Sequence, residues 1–255
     1  MKTTIVLSIL AAALALTSCS VDTKPGDAAK EQVGKQKKVK KTLFIGDSIT
    51  DGRRGENQHD LNHIYGHGFM MLCAADLQSR LPECDLQFFN RGISGNTLYD
   101  MEARWQTDAI DIDADLVSIL VGTNDVEYAI WDKEQKPLDF GDWERTYRAL
   151  LDTLRRACPD VEFVLCTPFV AKVAWRGEAA NFPARQSMVD SLDVIVGRIA
   201  ADYDAILIRY DEMFRGLNSS APRPDYWIWD GVHPTSAGHR RMADLWLEKT
   251  RSLFE

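Results

Sequence analysis

The sequence predicts an α/β fold, with three layers in which helices cover both faces of a parallel five-stranded sheet of order 2-1-3-4-5. Three observations predict it. Five short runs rich in Ile, Leu, Val and Phe read as strands buried on both faces. Longer amphipathic stretches alternate with them, and that alternation calls for helical crossovers between parallel strands. Polar clusters follow the strands instead of preceding them, and sheets of this kind bind ligands outside the carboxyl ends of their strands.

The strands expected, in chain order, are "TLFIGD" (42–47), "LQFFN" (86–90), "LVSILVG" (116–122), "EFVLCTP" (162–168) and "AILIRY" (205–210). Helical periodicity spans Phe69 to Leu81, Leu98 to Ala109, Trp143 to Ala157 and Ala184 to Tyr203. A last helix runs from Ser236 to Leu253, with the Thr235 hydroxyl as its N-cap. The expected strand order is the flavodoxin-like one, and no internal repeat is visible.

This domain is expected to occupy residues 42–255. Ahead of it, residues 1–19 have the charged start, apolar middle (Ile5 to Leu16) and small-residue end of a bacterial export signal. The apolar run is shorter than the roughly 20 residues a spanning helix needs. Its ending, "LTSC", resembles the lipobox of bacterial lipoproteins, although Thr17 and Ser18 stand where Ala and Gly are more usual. That resemblance implies lipidation at Cys19 and an exported, membrane-anchored protein at the periplasm or cell surface. Simple secretion with Cys19 discarded is the alternative. Residues 20–41 hold no aromatic side chain and many lysines, a composition that cannot bury a core, so they read as a flexible tether.

Charge excludes one class of partner. Residues 1–41 carry 8 of the 30 basic and 3 of the 38 acidic side chains, leaving 22 against 35, a formal net of −13. So acidic a domain repels phosphate backbones, and nucleic acid is not an expected partner. Cys73, Cys84, Cys158 and Cys166 show no CxxC spacing, so neither a zinc site nor a thioredoxin motif is expected. Export permits disulfides, but spacing does not pair these four. Cys166, inside a strand run, reads as a buried small hydrophobe.

The chemistry is read from four loops. "FIGDSIT" follows the first strand, "NRGISGN" the second and "VGTND" the third, while "WDGVHP" lies beyond the fifth. Together they supply a serine, a glycine turn, an asparagine and an Asp/His pair. Those are the parts ester hydrolysis needs: nucleophile, oxyanion donors, base and orienter. Ser48 is the candidate nucleophile, His233 the base that takes its proton, and Asp230 the group that holds the imidazole tautomer. The N–H groups of Ser48 and Gly95 and the amide of Asn124 are candidate donors to the developing oxyanion. Gly95 suits the role because glycine lets the backbone approach a ligand closely.

At these residues the chain resembles the GDSL, or SGNH, hydrolase family. "GDSIT", "GISGN", "GTND" and "DGVH" look like its conserved blocks in the family's order. The longer segments "LFIGDSITD", "RGISGNTLYDMEARW", "DLVSILVGTNDV" and "WDGVHPTSAGH" resemble its acetylxylan-esterase-like branch. The resemblance implies a flavodoxin-like α/β/α fold, cleavage of acyl esters with neither metal nor cofactor, and Ser48, Asp230 and His233 as the triad. It implies an acylated carbohydrate or other small ester as substrate. Lysophospholipids or acyl thioesters are the alternative within the family, and a non-catalytic carbohydrate-binding protein the alternative outside it. Oligomeric state is not legible.

Rival readings attach to several residues. Ser94 lacks a G-x-S-x-G elbow and reads as a turn hydroxyl bonded to nearby backbone. Asp47 and Asp125 read as loop-holding carboxylates bonded to local backbone, with Asp47 also a candidate for lining the substrate site. Arg91, Trp131 and Trp229 are further candidates there, while Arg91 and Arg104 equally suit pairing with acids. Trp227 and Tyr226 lie near the site loops, where aromatic faces stack on sugars or simply pack. His59, His63 and His67 recur every four residues, but Gly66 and Gly68 interrupt any helix, so a polar loop at the site's edge is expected and no metal. His239 reads as a surface or packing residue of the last helix.

Overall fold

A computed structural model describes residues 39–131, 137–173 and 181–254, all within one compact unit, Lys37–Glu255. In chain order the strands are β1 (Lys41–Gly46), β2 (Gln87–Gly92), β3 (Leu116–Leu120), β4 (Glu162–Cys166) and β5 (Ile206–Ile208). The helices are α1 (Ser48–Asp51), α2 (Phe69–Arg80), α3 (Leu98–Ala103), α4 (Trp105–Asp108), α5 (Thr123–Trp131), α6 (Phe140–Ala157), α7 (Phe182–Asp202), α8 (Tyr210–Asn218) and α9 (Ser236–Thr250). The sheet is parallel throughout, in the expected order β2-β1-β3-β4-β5.

Successive side chains of each strand point to opposite faces, which divides the core in two. Leu43, Ile45, Val117, Ile119, Phe163 and Leu165 pack with Leu98, Trp143, Tyr147, Leu151, Val189 and Val196 of α3, α6 and α7. Phe44, Leu116, Leu120, Val164, Cys166 and Ile208 pack on the other face with Phe69, Met70, Phe214, Met242 and Trp246 of α2, α8 and α9. The largest of these side chains are fully buried, and each contributes about 1.5–3 kcal/mol relative to exposure. Trp246 also donates its indole N–H to Ser118 Oγ at 3.0 Å, so its one polar atom is satisfied in the core.

Register places the site. Gly46 pairs with Gly92 on one side and with Leu120 on the other, so the loops after β1, β2 and β3 leave the sheet at one level. The chain steps from β1 outward to β2 and returns past β1 to β3, and this reversal opens the crevice at that edge. At Gly92 an added Cβ would lie 2.1 Å from the Asp51 N, so only glycine lets α1 sit against the end of β2.

Four differences from expectation have physical reasons. Residues 39–41, assigned to the tether, belong to the fold: Val39 is buried, and the Lys40 and Lys41 N–H groups donate to the Asp115 carboxylate at 3.0 and 2.9 Å. The rest of the tether and the leader with Cys19 lie outside the described residues. The helix expected over 98–109 is two, broken at Arg104 (φ −117°, ψ 10°), whose side chain binds the ends of β1 and β2 while Trp105 turns into the core. The helices α5 and α8 continue directly from apolar strand runs, where hydrophobicity alone does not mark the change of period. Finally, α9 ends at Thr250, and its last predicted turn, Arg251–Leu253, is 3₁₀.

Candidate active site

The segment after β1 turns at once into α1. Asp47 caps it, with Oδ1 accepting the Ile49 N–H at 2.9 Å, so Ser48 becomes the first helical residue at the carboxyl edge of the sheet. The residues facing it are held by a separate tight loop. Ile228 and Pro234 bridge the loop ends, Trp229 N donates to His233 O at 3.0 Å, and Gly231 takes φ +97° at the tip. Thr235 then caps α9, as its sequence position predicts, by accepting the Gly238 N–H at 3.2 Å.

Within that loop the Asp230 carboxylate accepts three N–H groups. Oδ1 takes the backbone N–H of His233 at 2.7 Å and of Val232 at 3.0 Å, and Oδ2 faces His233 Nδ1 at 2.7 Å. With its Nδ1 proton directed at the carboxylate, the ring presents a lone pair at Nε2, 2.9 Å from Ser48 Oγ. The hydrogen bond to Asp230 holds the His233 pKa above its usual 6.5, outweighing burial. Burial alone would raise the Asp230 pKa, but the His233 ring and the two backbone donors hold it below the usual carboxylate value.

The second and third loops meet the serine from the other side. Asn124, on the first turn of α5, donates one amide N–H to Asn96 O at 3.0 Å, which leaves the other N–H for a ligand. Gly95 has φ +85°, in the left-handed region; a Cβ there would meet only Tyr128 Oη at 3.5 Å. Glycine is therefore required by the dihedral and not by closeness of approach. Tyr128 donates to Gly95 O at 3.1 Å, and Arg104 donates to Asn96 Oδ1, Arg91 O and Gly46 O. These bonds tie the three loops together.

Ser48, Gly95, Asn124, Trp229, Asp230 and His233 line one cleft of about 530 Å³. A larger hollow of about 630 Å³ lies among β5, α8 and α9 and holds none of them. The structure thus brings together the six residues read from widely separated motifs. Of the other candidates for lining the substrate site, none does. Asp47 is buried beneath Ser48, and burial pushes its pKa up to about 7 against the stabilising Ile49 N–H. Arg91 turns toward Asp108 at 3.6 Å. Trp131 lies exposed at the end of α5, its indole N–H on Glu127.

The bonds of the remaining residues are longer in range than expected. Asp125 accepts the Leu98 N–H and the Trp143 indole, stitching α3 and α6 to α5; burial pushes its pKa up to about 6. Ser94 donates to the Asp51 carboxylate at 2.7 Å, a side-chain partner in place of the backbone one expected. Trp227 and Tyr226 pack together behind the loop, edge to face. His63 pairs with Asp60, whereas His67 reaches the cleft. Cys73, Cys84 and Cys166 are free thiols, and the Cys158 thiol faces the Asp113 carboxylate at 3.6 Å.

Sequence reasoning missed Gly52, Arg53, Ser236 and His239 on the cleft wall. His239, read as a packing or surface residue, stands one turn into α9, and its spacing of six from His233 was the available signal. Its ring lies flat on Phe69 and accepts that residue's N–H at 3.1 Å, while burial drives its pKa down to about 4.

Residues 44–241 match the profile of the GDSL-like Lipase/Acylhydrolase family. The chain is 33% identical over 213 residues to an acetylxylan esterase of Geobacillus stearothermophilus, covering 82% of this chain and 93% of that one. The structure of a catalytic mutant of Axe2, an acetylxylan esterase from Geobacillus stearothermophilus, with a histidine replaced by alanine, superposes with TM-score 0.70 at 31% identity over 82% of this chain and 93% of that one. A protein described as a GDSL-like lipase, from Parabacteroides merdae, superposes with TM-score 0.74 at 30% identity, over 85% and 97% of the two chains. These likenesses set aside the reading as a non-catalytic binding protein. Fold, motif order and sequence agree: the chain belongs to the GDSL-like lipase/acylhydrolase family and is a carboxylic ester hydrolase.

Proposed function

We propose that the protein is a serine esterase that removes acetyl or other short acyl groups from carbohydrate. The observation that carries this reading is the unbroken relay from Asp230 Oδ2 to His233 Nδ1 (2.7 Å) and from Nε2 to Ser48 Oγ (2.9 Å) at the edge of an open cleft. Likeness to an acetylxylan esterase supports the substrate class.

In this mechanism Ser48 Oγ attacks the ester carbonyl carbon as its proton passes to His233 Nε2. Asp230 stabilises the resulting imidazolium without itself taking the proton. The carbonyl oxygen becomes negative and meets the N–H groups of Ser48 and Gly95 and the second amide N–H of Asn124, each worth about 3 kcal/mol in the transition state. The C–O bond to the sugar then breaks, and His233 returns the proton to the departing alkoxide. Water attacks the acyl-serine with His233 again as base, which releases the carboxylic acid and frees Ser48.

Hydrolysis of p-nitrophenyl acetate is expected to vanish in Ser48→Ala, and its survival would refute the nucleophile assignment. Comparison of acetyl with long-chain esters separates this substrate class from lysophospholipids and acyl thioesters. Deacetylation of defined acetylated oligosaccharides identifies the position cleaved. The protein is further proposed to be exported and anchored through a lipidated Cys19, a reading supported by the leader and "LTSC". Among the described residues no helix is long and apolar enough to cross a membrane. Membrane association in detergent partitioning should then be lost in Cys19→Ala; unchanged association would exclude this anchor.

A further inference from the structure

Beyond the Ser48–His233 pair, the lining of the cleft includes Gly52, Arg53, His67, Ser236 and His239, and these five residues are taken together as its second arm. None of these has a part in the relay, yet two of them are set up as donors. His239 Nδ1 accepts the Phe69 N–H, and a backbone N–H only donates, so Nδ1 holds the lone pair and Nε2 carries the ring proton. Burial keeps the ring uncharged, which makes this N–H a constant feature of the wall at working pH.

Arg53 is the second. It is an exposed arginine with φ +54°, a left-handed conformation that is unfavourable for a residue with a Cβ. The loop imposes it: His67 N donates to Gly52 O at 2.9 Å, and the flanking Gly52 and Gly66 also take positive φ. Strain of this kind persists only where the surrounding structure over-determines it, and it clusters at sites that meet ligands. Its neighbour Arg54 is tied to Asp51 and to Gly92 O. Arg53 has no hydrogen-bond or ion-pair partner among the described residues, in a domain whose carboxylates outnumber its cations.

We propose that this arm is a subsite for a carboxylate-bearing sugar, a uronic acid adjoining the acylated residue, with the Arg53 guanidinium on the carboxylate and His239 Nε2–H on a sugar oxygen. The inference rests on the carbohydrate-esterase reading above. A single guanidinium beside the His239 N–H matches one negative charge, and its planar fork fits a carboxylate. The domain's negative charge is screened beyond about 8 Å at physiological salt, so the local cation decides which ion the arm accepts.

The test measures acetate release from two O-acetylated oligosaccharides that differ only by a glucuronic acid substituent. Wild-type kcat/KM is expected to favour the acidic substrate by about tenfold, as a charge-assisted hydrogen bond allows. That preference should disappear in Arg53→Gln, through KM, and in high salt. Arg156→Gln removes the same charge from an exposed position on α6 and should keep the preference. His239→Asn retains an acceptor for Phe69 N–H and should raise KM for both substrates. Equal wild-type rates on the two substrates, or equal losses in Arg53→Gln and Arg156→Gln, would overturn the subsite. An unchanged KM in His239→Asn would remove His239 from it. Cleavage of p-nitrophenyl acetate with neither oligosaccharide deacetylated would overturn the carbohydrate reading, and the subsite with it.

Discussion

Asp230→Asn separates orientation of the base from the architecture of the loop. The carboxylate has two jobs on different oxygens: Oδ1 accepts the Val232 and His233 N–H groups, and Oδ2 holds His233 Nδ1. Asparagine is isosteric, and its carbonyl in the Oδ1 position keeps both backbone bonds, so the loop should fold with little loss of stability. Its NH₂ group then faces Nδ1 and can only donate. The ring must respond by moving its proton to Nε2, where it points at Ser48 Oγ and blocks proton transfer. Loss of the correct tautomer together with loss of the buried negative charge corresponds to about 10³–10⁴ in kcat, or roughly 4–5.5 kcal/mol of barrier. KM should change little. The pH profile gives a second readout. Since Asp230 holds the His233 pKa above 6.5, wild-type kcat/KM should rise with pH through a limb above that value as the ring becomes neutral. The residual activity of Asp230→Asn should show the limb displaced to lower pH. Retention of more than about a tenth of kcat, with the limb unmoved, would refute the orienting role.

Three further predictions follow from the same geometry. Asn124→Ala should lower kcat about 10²–10³-fold on p-nitrophenyl acetate with a smaller change in KM, because the amide acts on the developing oxyanion; a loss confined to KM would contradict that role. Gly95→Ala places a side chain at φ +85° in open space, so thermal unfolding should register a modest cost of about 1 kcal/mol while kcat falls as the N–H shifts. Asp47 binds its proton more tightly when folded, with a pKa raised from 3.8 to about 7, so its contribution favours the folded state at low pH and is lost as pH rises across that interval. Asp47→Asn should therefore flatten the fall in Tm between about pH 4 and pH 7, and an unaltered slope would show that the carboxylate titrates normally.

Alternation of buried apolar runs with amphipathic stretches was enough for five parallel strands, because burial on both faces leaves a hydrophobic signature in each strand by itself. The loops carrying Ser48, Gly95, Asn124 and the Asp230/His233 pair were legible for a similar reason, since each motif is short and its residues serve one local turn. Less legible were features whose partners lie far along the chain. Arg104 breaks a helix in order to reach Gly46, Arg91 and Asn96, and nothing in its own neighbourhood announces that. Asp125 resembles a loop-holding residue but bonds Trp143, 18 residues on. Where an apolar run passes from β5 into α8, the change of period falls within too few residues to read.

By itself, then, the sequence determined the class of fold and the chemical groups carried by the loops that follow the strands, because these depend on periodicity and on local turns; the strand order follows the pattern this class favours and is fixed only by pairing in the sheet. Tertiary structure alone decided which groups share the cleft. It buried Asp47, turned Arg91 and Trp131 away, and brought His239 and Arg53 in beside Ser48. Whether a polar side chain meets a ligand depends on the packing of elements from distant parts of the chain, and on burial and hydrogen bonds that arise only once those elements meet.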